Sequence, residues 1–488
     1  MSAGSIRAAG RRAADLRFAL PVPVRTATVL DADREPLLGE LAHGLRLAGV
    51  RVDDATRPDV VVAAAGRAAE ALRIPAGAHL LIGRDAHRVA RDGRSLLVRG
   101  SLTRPLAVVP VRPAAGLRHY LTGVAAPPSS RARLRNRALA GLLRTPLPAE
   151  RLLPAAAVVT VLAEPGTPPV PRIVQAAAEL GLPADASWVL GLGTGDDLQR
   201  ATFRLLHGGR LRWVVKFSRV AGAGDSFVRD ERGLGLARAA GGVVAAHAPV
   251  HLGRFEVDGL PASLETAAFG RPLLDLLARR PFALLDRIAG WVVDLGSATA
   301  SPAAELVPER GRLARDVLPH WRRSGAPADL VDGLPPLPAA LVHNDLGSWN
   351  VISDGRSFAA VDWESARPSG LPLWDLCYFL ADTLARIDGP ADPGTLLRRT
   401  LDLFRGTSPH SPLLFRWIRT AATRLHVPPD AVGPVVTLCW LHHGLSAAAR
   451  ARALGGTAPA APGHLAMLAE PWLADPALGP TWRAWSTG

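Results

Sequence analysis

Lysine is almost absent from this sequence: of 57 basic side chains only one, Lys216, is a lysine. Asparagine is nearly as rare and occurs only as Asn136, Asn344 and Asn350. Both residue types have A-rich codons, whereas Ala, Arg, Gly, Pro and Leu dominate the chain, so we interpret the shortage as a codon bias. A lysine kept against this bias indicates a position where the broad planar guanidinium of arginine does not serve.

Cysteine and long apolar runs are also scarce. The two cysteines, Cys377 and Cys439, lie in apolar surroundings, which argues against a disulfide framework or a cysteine metal site. No uninterrupted apolar run reaches about 18 residues, and the start lacks the pattern of a signal peptide. With 48% hydrophobic and 20% charged residues in 488, we expect a soluble, cytoplasmic protein of two or three domains.

Acidic side chains are outnumbered, and the formal net charge is +14 at pH 7. Such a charge can indicate nucleic-acid binding, which would show as a steeply salt-dependent affinity. The arginines are scattered, however, with only short clusters such as Arg131 to Arg137, and no basic stripe with interleaved aromatic residues occurs. We therefore attribute the charge to the arginine bias and expect neither nucleic acid nor membrane as a partner.

Residues 1–165 have the pattern of a separate α/β domain whose role the residues do not reveal. Helical periodicity occurs at 37–49 and 64–72. The predicted strands are 59–66, 79–83, 95–100 and 106–111. Proline- and serine-rich stretches at 123–135 and 162–171 predict linkers.

The pattern changes after residue 165. Residues 166–268 are β-rich, with a predicted hairpin around 207–209 and a helix at 226–240. Residues 269–488 are mainly helical, apart from a strand–loop–strand stretch at 340–363. A β-rich small lobe followed by a helical large lobe predicts an α+β fold, preceded by the N-terminal α/β domain.

The strongest chemical signal is the segment LVHNDLGSWNVISDGRSFAAVDWE at 341–364. His343, Asp345 and Asn350 have the spacing H-x-D-x-x-x-x-N, and Asp362 ends an apolar strand. Phosphoryl transfer from ATP needs a carboxylate that orients the attacking hydroxyl, and oxygen ligands for magnesium. Asp345 suits the first task, and Asn350 and Asp362 suit the second.

This segment resembles the catalytic and metal loops of the aminoglycoside phosphotransferase and choline kinase family, relatives of the protein kinases. The resemblance covers about residues 180–450 and includes a Gly-x-Pro element followed by Asp-Leu. The matching residues here are Gly370, Pro372, Asp375 and Leu376. The resemblance implies a bilobal protein-kinase-like fold that uses ATP and Mg²⁺, with Asp375 holding the catalytic loop from below.

The resemblance also implies roles within the loop. Asp345 is expected to orient the acceptor hydroxyl, while His343 braces the loop and does not act as an acid or base. Trp363 and Glu364 stand where protein kinases have Phe and Gly, and Gly347 stands where serine/threonine kinases usually have lysine. These departures favour small-molecule substrates.

Lys216 lies in the alternating strand RWVVKF, where a lysine can be a solvated edge charge. Because it is the single lysine, we expect it to match the family's lysine that holds the α- and β-phosphates. Glu231, in the helix that follows, is its expected partner, and Asp230 is a competing candidate.

Two further segments complete the expected nucleotide site. Gly191, Gly193 and Gly195 form a glycine-rich turn, here called the glycine turn (residues 191–195), whose backbone could close over the phosphates. The stretch 258–273 resembles the hinge between the lobes, so backbone groups from Glu265 to Ala267 are expected to meet adenine.

These residues predict an ATP- and Mg²⁺-dependent phosphotransferase with an alcohol group as acceptor. The expected acceptor is an amino-sugar, a sugar or an amino alcohol. The alternative is a catalytically weak, nucleotide-binding regulatory protein of the same fold, which measured turnover would separate. His442 and His443 lack a third ligand, so a packing or surface role is expected for them and not a metal site. The acceptor's identity, the choice of ATP or GTP and the oligomeric state stay open.

Overall fold

The structure is a computed structural model, and its chain divides into two compact units. The sheet unit holds the described residues of Arg7–Phe227 and His251–Ala267, and the helical unit those of Val228–Val250 and Ala268–Gly488. The described residues are 11–53, 55–83, 85, 92–124, 130–144, 158–167, 170–183, 185–193, 199–453 and 463–486.

The sheet unit is built on one mixed sheet, in which the described residues form 12 strands. The strands are β1 (Thr26–Val29), β2 (Arg51–Val52), β3 (Val60–Ala64), β4 (Ala78–Ile82), β5 (Arg94–Gly100), β6 (Pro105–Pro110), β7 (Val158–Ala163), β8 (Ser187–Gly191), β9 (Ala201–His207), β10 (Arg210–Phe217), β11 (His251–Val257) and β12 (Leu260–Thr266). Their spatial order is β11-β12-β10-β9-β8-β6-β5-β7-β4-β3-β1-β2. Within the described sheet, three strand pairs are parallel: β1 with β2, β1 with β3, and β3 with β4. The other pairs are antiparallel.

Helices cover this sheet and close its cores. They are a 3-10 helix (Arg11–Ala19), α1 (Pro36–Leu47), α2 (Ala68–Ala71), α3 (Ala114–His119), α4 (Ser130–Leu142) and α5 (Arg172–Ala178). The largest core of the unit brings apolar side chains of the 3-10 helix, α1 and α5 together with those of both halves of the sheet, for example Phe18, Phe203 and Phe217. Phe217 lies 4.9 Å from Phe18 and 5.6 Å from Phe203 between ring centroids.

Most predicted elements of this unit are confirmed, and one is wrong. The strands expected near 59–66, 79–83, 95–100 and 106–111 are β3 to β6. The hairpin expected around 207–209 is formed by β9 and β10 and turns at Gly208 and Gly209, whose φ values of 57° and 73° suit a two-residue turn. The predicted linker at 123–135 instead runs into α4, because its arginine, alanine and leucine residues are good helix formers.

Strands from both sides of residue 165 belong to this one sheet. In the β6–β8 pair Ala107 lies opposite Gly191, and Val108 lies opposite Leu190. The division into residues 1–165, 166–268 and 269–488 stays a prediction. What the structure adds is that the first two ranges share backbone hydrogen bonds along β6 and β8 and a common core.

The helical unit has two small sheets and a large helical core. Its strands are β13 (Arg271–Pro272), β14 (Ala340–Val342), β15 (Val351–Ser353), β16 (Phe358–Ala360) and β17 (Arg367–Gly370). Its helices are α6 (Asp225–Ala239, from Val228 onward), α7 (Gly242–Ala245), α8 (Phe282–Ala298), α9 (Val307–Arg312), α10 (Leu318–Trp321), α11 (Trp374–Arg386), α12 (Pro393–Arg405), α13 (Ser411–Arg424), α14 (Pro429–Ala453) and α15 (Ala469–Ala474). Strands β13, β15 and β16 form one sheet, and β14 pairs with β17.

The mixed α+β class expected from the sequence is confirmed, while the bilobal arrangement and an independent N-terminal domain stay predictions. Among the residues that the structure describes, no helix has both the length and the apolar character that crossing a bilayer requires.

Candidate functional site

The loop from His343 to Asn350 connects β14 to β15 and is held by a buried carboxylate. Asp375, in the first turn of α11, accepts hydrogen bonds from the backbone N–H of His343 at 2.5 Å and of Asn344 at 2.7 Å. Burial raises the pKa of Asp375 to about 6, and these two hydrogen bonds oppose the rise. The expected structural role of Asp375 is confirmed.

His343 braces the same loop from the other side. Its side chain is fully buried, and Nε2 lies 2.9 Å from the carbonyl oxygen of Val361, the residue before Asp362. Its ring lies 4.7 Å from the Trp363 ring between centroids. The imidazole therefore links the start of the loop at His343–Asn350 to the backbone just before Asp362.

Asp345 and Asn350 contact each other directly. The Asn350 Nδ2 donates to the Asp345 backbone carbonyl at 2.8 Å and to Asp345 Oδ2 at 3.0 Å. With the nitrogen committed to Asp345, the amide oxygen is the atom of Asn350 that can bind a cation. The backbone carbonyl of Asn350 accepts from Val361 N–H at 2.9 Å, which ties the residue to the segment leading to Asp362.

Carboxylates crowd around Asp345. Burial raises its pKa to about 7, and repulsion from Asp362 and, more weakly, Glu364 adds to the rise against hydrogen bonds from Asn350 and Tyr378. Asp362 has a left-handed backbone with φ 63° and is followed by a turn at Trp363–Ser365. A bound cation would relieve the repulsion between the carboxylates.

The oxygen donors here fit magnesium. Carboxylate and amide oxygens are hard ligands, and Mg²⁺ commonly uses one or two protein carboxylates together with phosphate and water. Within the described ranges no group of three or more His, Cys, Asp and Glu side chains is arranged to hold a metal ion. A magnesium ion on Asn350 and Asp362 would therefore depend on phosphate oxygens and water for its remaining ligands.

Tyr378 is a site residue that the sequence reasoning missed. Its hydroxyl donates to Asp345 Oδ1 at 3.3 Å, and it lies one helical turn after Asp375 on α11. Burial and the negative charge of Asp345 raise its pKa, so it stays a donor. The chain has only two tyrosines, and Tyr378 lies three residues after Asp375. These two features of the sequence could have identified Tyr378 as a candidate.

His442 supports this loop as well. The Nε2 atom of His442 lies 3.1 Å from Asn344 Nδ2, and its ring stacks on Trp374 with centroids 5.2 Å apart. Burial lowers the pKa of His442 far below its usual 6.5, so the neutral ring can accept from Asn344. The expected packing role is confirmed for His442.

Gly347 has no room for a side chain. A Cβ built there would lie 2.4 Å from ring atoms of Trp349, which itself lies edge-on to Tyr378 at 6.1 Å between centroids. The lysine that serine/threonine kinases carry at this position would collide with the indole.

In the sheet unit the single lysine forms a buried ion pair. Lys216 Nζ lies 2.9 Å from Glu265 Oε2, and the two residues are 4% and 2% exposed. The pair follows from the register of β10 and β12, in which Lys216 is opposite Ser263 and Glu265 is opposite Val214, so that the two lie on one face. In α6, Asp230 is buried and Glu231 is half-buried. The pairing of Glu231 with Lys216 stays a prediction.

The segment expected to meet adenine lies at the end of β12. Glu265 is within the strand, and its carboxylate contacts Lys216. The N–H of Ala267 donates to the Arg212 carbonyl at 2.8 Å. A base that binds here would therefore donate a hydrogen bond to the Ala267 carbonyl oxygen, because the Ala267 N–H is already bonded within the sheet.

The glycine turn begins at Gly191, the last residue of β8. A Cβ on Gly191 would lie 2.8 Å from a guanidinium nitrogen of Arg204, and one on Gly193, with φ 65°, would lie 2.6 Å from Gln199 Oε1. A Cβ at either position would require the end of a long flexible side chain to move, and at Gly193 the positive φ favours glycine as well. Gly195 lies outside the described residues.

Three buried residues far from the turn in sequence form a cluster beside the described residues that flank 194–198; we call Arg12, Asp15 and Arg219 the arginine clamp. Arg12 Nη2 lies 2.9 Å from the carbonyl oxygen of Leu192 and 2.7 Å from that of Gly193. Arg219 donates to the carbonyls of Leu192 and Gln199, one on each side of residues 194–198. Asp15 Oδ2 lies 3.1 Å from Arg219 Nε and 3.5 Å from Arg12 Nε, and all three side chains are buried.

Comparison with known proteins gives matches among solved structures alone. No family model matches the chain, and no curated protein matches its sequence. A thermostable mutant of aminoglycoside phosphotransferase APH(4)-Ia, in ternary complex with ADP and hygromycin B, superposes with a TM-score of 0.37 and 19% identity over 61% of this chain and 95% of that one.

Two other solved structures are similar at lower scores. The aminoglycoside-3'-phosphotransferase of type VIII has a TM-score of 0.27 and 21% identity over 51% of this chain and 99% of that one. The bifunctional kinase-methyltransferase WbdD has a TM-score of 0.23 and 13% identity over 85% and 87%. Similarity at TM-scores below 0.5 decides neither fold nor chemistry, so the function proposed below depends on this chain's own residues.

Proposed function

We propose that this protein is an ATP- and Mg²⁺-dependent phosphotransferase that phosphorylates a hydroxyl group of a small molecule. The observation that carries the proposal is the contact of Asp345 with Asn350 beside Asp362, in a loop held by Asp375 and His343. Phosphoryl transfer asks a protein mainly for positioning and charge stabilisation, and this set of oxygens supplies both.

In the proposed reaction Asp345 accepts a hydrogen bond from the acceptor hydroxyl and takes its proton as the oxygen attacks the γ-phosphorus. The bond from the γ-phosphorus to the bridging oxygen breaks, and ADP leaves. Asn350 and Asp362 would hold magnesium, which neutralises charge on the triphosphate when bound. Tyr378 keeps the Asp345 carboxylate oriented through its hydrogen bond to Oδ1.

The nucleotide side of the proposal uses the sheet unit. Lys216, held by Glu265, would bind α- and β-phosphate oxygens as a point charge. The glycine turn would present backbone N–H groups to the phosphates, with the arginine clamp fixing its ends. The carbonyl of Ala267 is the proposed contact for adenine.

We further propose an amino-sugar, sugar or amino alcohol as acceptor. This proposal is supported by the loop's departures from protein kinases at Gly347, Trp363 and Glu364. Trp349, which fills the space beside Gly347, takes the volume that a lysine would need.

A coupled ADP-release screen over metabolite hydroxyls tests the function with the purified full chain. We expect Mg²⁺-dependent turnover with at least one member of the class, and its loss in Asp345→Ala by about 10²–10⁴-fold. ATP binding without turnover on any hydroxyl would favour the alternative, a nucleotide-binding regulatory protein. Equal turnover in parent and Asp345→Ala would refute the assignment of Asp345.

A further inference from the structure

The sheet unit contains a cavity of about 470 Å³. Of the residues proposed to bind or support the nucleotide, the clamp residues Asp15 and Arg219 line this cavity and the others do not. It opens between the 3-10 helix, the C-terminal end of α1, the start of α5 and the turn joining β11 to β12. Its volume lies within the range of about 300–1,000 Å³ that small-molecule sites have. It is therefore large enough for a metabolite.

The inner wall of this cavity is apolar. Its apolar lining includes Phe18, Val24, Val50, Ile173, Val257 and Leu260. Phe18, Val50, Ile173 and Val257 are buried core residues, so this wall is built on the fixed part of the unit. Such a wall favours an apolar or aromatic body in a ligand.

The rim of the cavity is cationic. Arg25, Arg46 and Arg172 are exposed, and within the described residues none of them has a carboxylate within ion-pair distance. Arg17 is half-buried, and its guanidinium lies 4.2 Å over the Phe18 ring. All four arginines line the same cavity.

The acids at the same cavity do not balance Arg25, Arg46 and Arg172. Asp15 also lines it, but its carboxylate is paired with Arg219 and Arg12 in the clamp and interacts with Arg17 as well. Asp258 is the other lining acid and is exposed. The codon bias explains why the cations are arginines. It does not explain the local excess of cations, because five arginines and two aspartates line this cavity, whereas the chain as a whole has 57 basic and 43 acidic side chains.

We propose that this cavity binds a small organic phosphate, with the phosphate on the arginine rim and the apolar body against Phe18 and Val257. Arginine forks match phosphate oxygens in pairs, and a dianion uses several of them at once. An apolar wall beneath them selects an organic phosphate over the inorganic ion. This site is distinct from Lys216 and the glycine turn, and the inference does not depend on the proposed phosphotransfer.

Phenyl phosphate, titrated calorimetrically into the full-length protein, tests the site. We expect saturable 1:1 binding that weakens as salt is raised, and weaker binding of inorganic phosphate and of benzyl alcohol. The double variant Arg46→Ala/Arg172→Ala should lose at least about tenfold in affinity, since hydrogen bonds to charged groups are strong. Arg25→Ala is an independent substitution of another exposed arginine, and we expect it to reduce the affinity for phenyl phosphate by a smaller factor.

Two further variants locate the binding. Arg210→Ala removes an exposed arginine at the β9–β10 hairpin and should leave the affinity unchanged. The double variant Lys216→Met/Glu265→Gln should also leave it unchanged, because neither residue lines the cavity and removing both partners leaves no buried charge unpaired. The proposal is overturned if the parent shows no saturable binding at millimolar phenyl phosphate, or if Arg46→Ala/Arg172→Ala binds like the parent. It is equally overturned if a folded Lys216→Met/Glu265→Gln variant does not bind, or if inorganic phosphate binds as tightly as phenyl phosphate.

Discussion

Replacing Asp345 by asparagine should make the nucleotide-free protein more stable at alkaline pH. Burial and repulsion from Asp362 raise the pKa of Asp345 from its usual 3.8 to about 7. A carboxyl whose folded pKa is raised stabilises the folded state below the unfolded pKa, and this contribution is lost as the pH rises through the folded pKa. The parent therefore loses stability between about pH 4 and pH 7, and Asp345→Asn, which mimics the protonated form, does not.

The size of this effect follows from the pKa difference. A difference of about 3 units at 1.36 kcal/mol each gives an upper limit of about 4 kcal/mol. Because Asp345 is partly exposed, water reduces this value, and we expect about 2 kcal/mol at pH 8. Asparagine can still accept from Asn350, and the hydroxyl of Tyr378 can rotate to accept from it, so neither partner is left unbonded.

Thermal unfolding in magnesium-free buffer measures the difference. At pH 8 the melting temperature of the variant should exceed that of the parent by about 4–8 °C. At pH 5 the difference should be about a third as large. Asp354→Asn is the matched control: backbone hydrogen bonds from Ser357 and Arg356 lower the pKa of Asp354, so this variant should lose stability at pH 8. A melting-temperature difference for Asp345→Asn that is the same at both pH values, or that is negative at pH 8, would refute the reasoning.

Four further predictions concern the proposed reaction. Tyr378→Phe should lower kcat by about tenfold with KM for ATP unchanged, because one hydrogen bond that orients Asp345 is lost; steady-state kinetics checks this, and an unchanged kcat contradicts it. Arg12→Ala should raise KM for ATP more than it lowers kcat, since one support of the glycine turn is removed, and equal ATP affinity by calorimetry would exclude the clamp from nucleotide binding. Lys216→Arg should keep the fold but lose most activity; full activity, or labelling by an amine-reactive ATP analogue that Mg-ATP does not slow, would show that the lysine is not at the nucleotide. Asp362→Asn should reduce Mg²⁺-dependent nucleotide affinity and turnover together, and parental Mg-ATP affinity would exclude it as a ligand.

The sequence was most informative where function lies within a short segment. His343, Asp345 and Asn350 stand within eight residues, and the loop's dependence on Asp375 followed from one additional motif. The β9–β10 hairpin was equally local, because two glycines between alternating strands allow few other conformations.

Contacts between distant segments were not predictable in this way. Arg12 reaches the carbonyls of Leu192 and Gly193, and no local pattern connects residues that far apart in sequence. The partner of Lys216 within its own sheet, Glu265, depends on strand order and register, which one sequence specifies only weakly. Helix α4 was missed because proline and serine at its start outweighed the helix-forming residues that follow.

The path of the chain through the two units has a consequence for synthesis on the ribosome. After β10 the polypeptide leaves the sheet unit, builds residues 228–250 of the helical unit, and returns to add β11 and β12. Leu234, Ala237 and Val244 of that excursion are buried in a core otherwise formed by residues beyond 270. When the strands of the sheet have been synthesised, residues 228–250 therefore still lack the core that buries them, until most of the remaining 200 or so residues have emerged. We expect chaperones to bind this exposed apolar segment, and we expect it to promote aggregation when translation stalls.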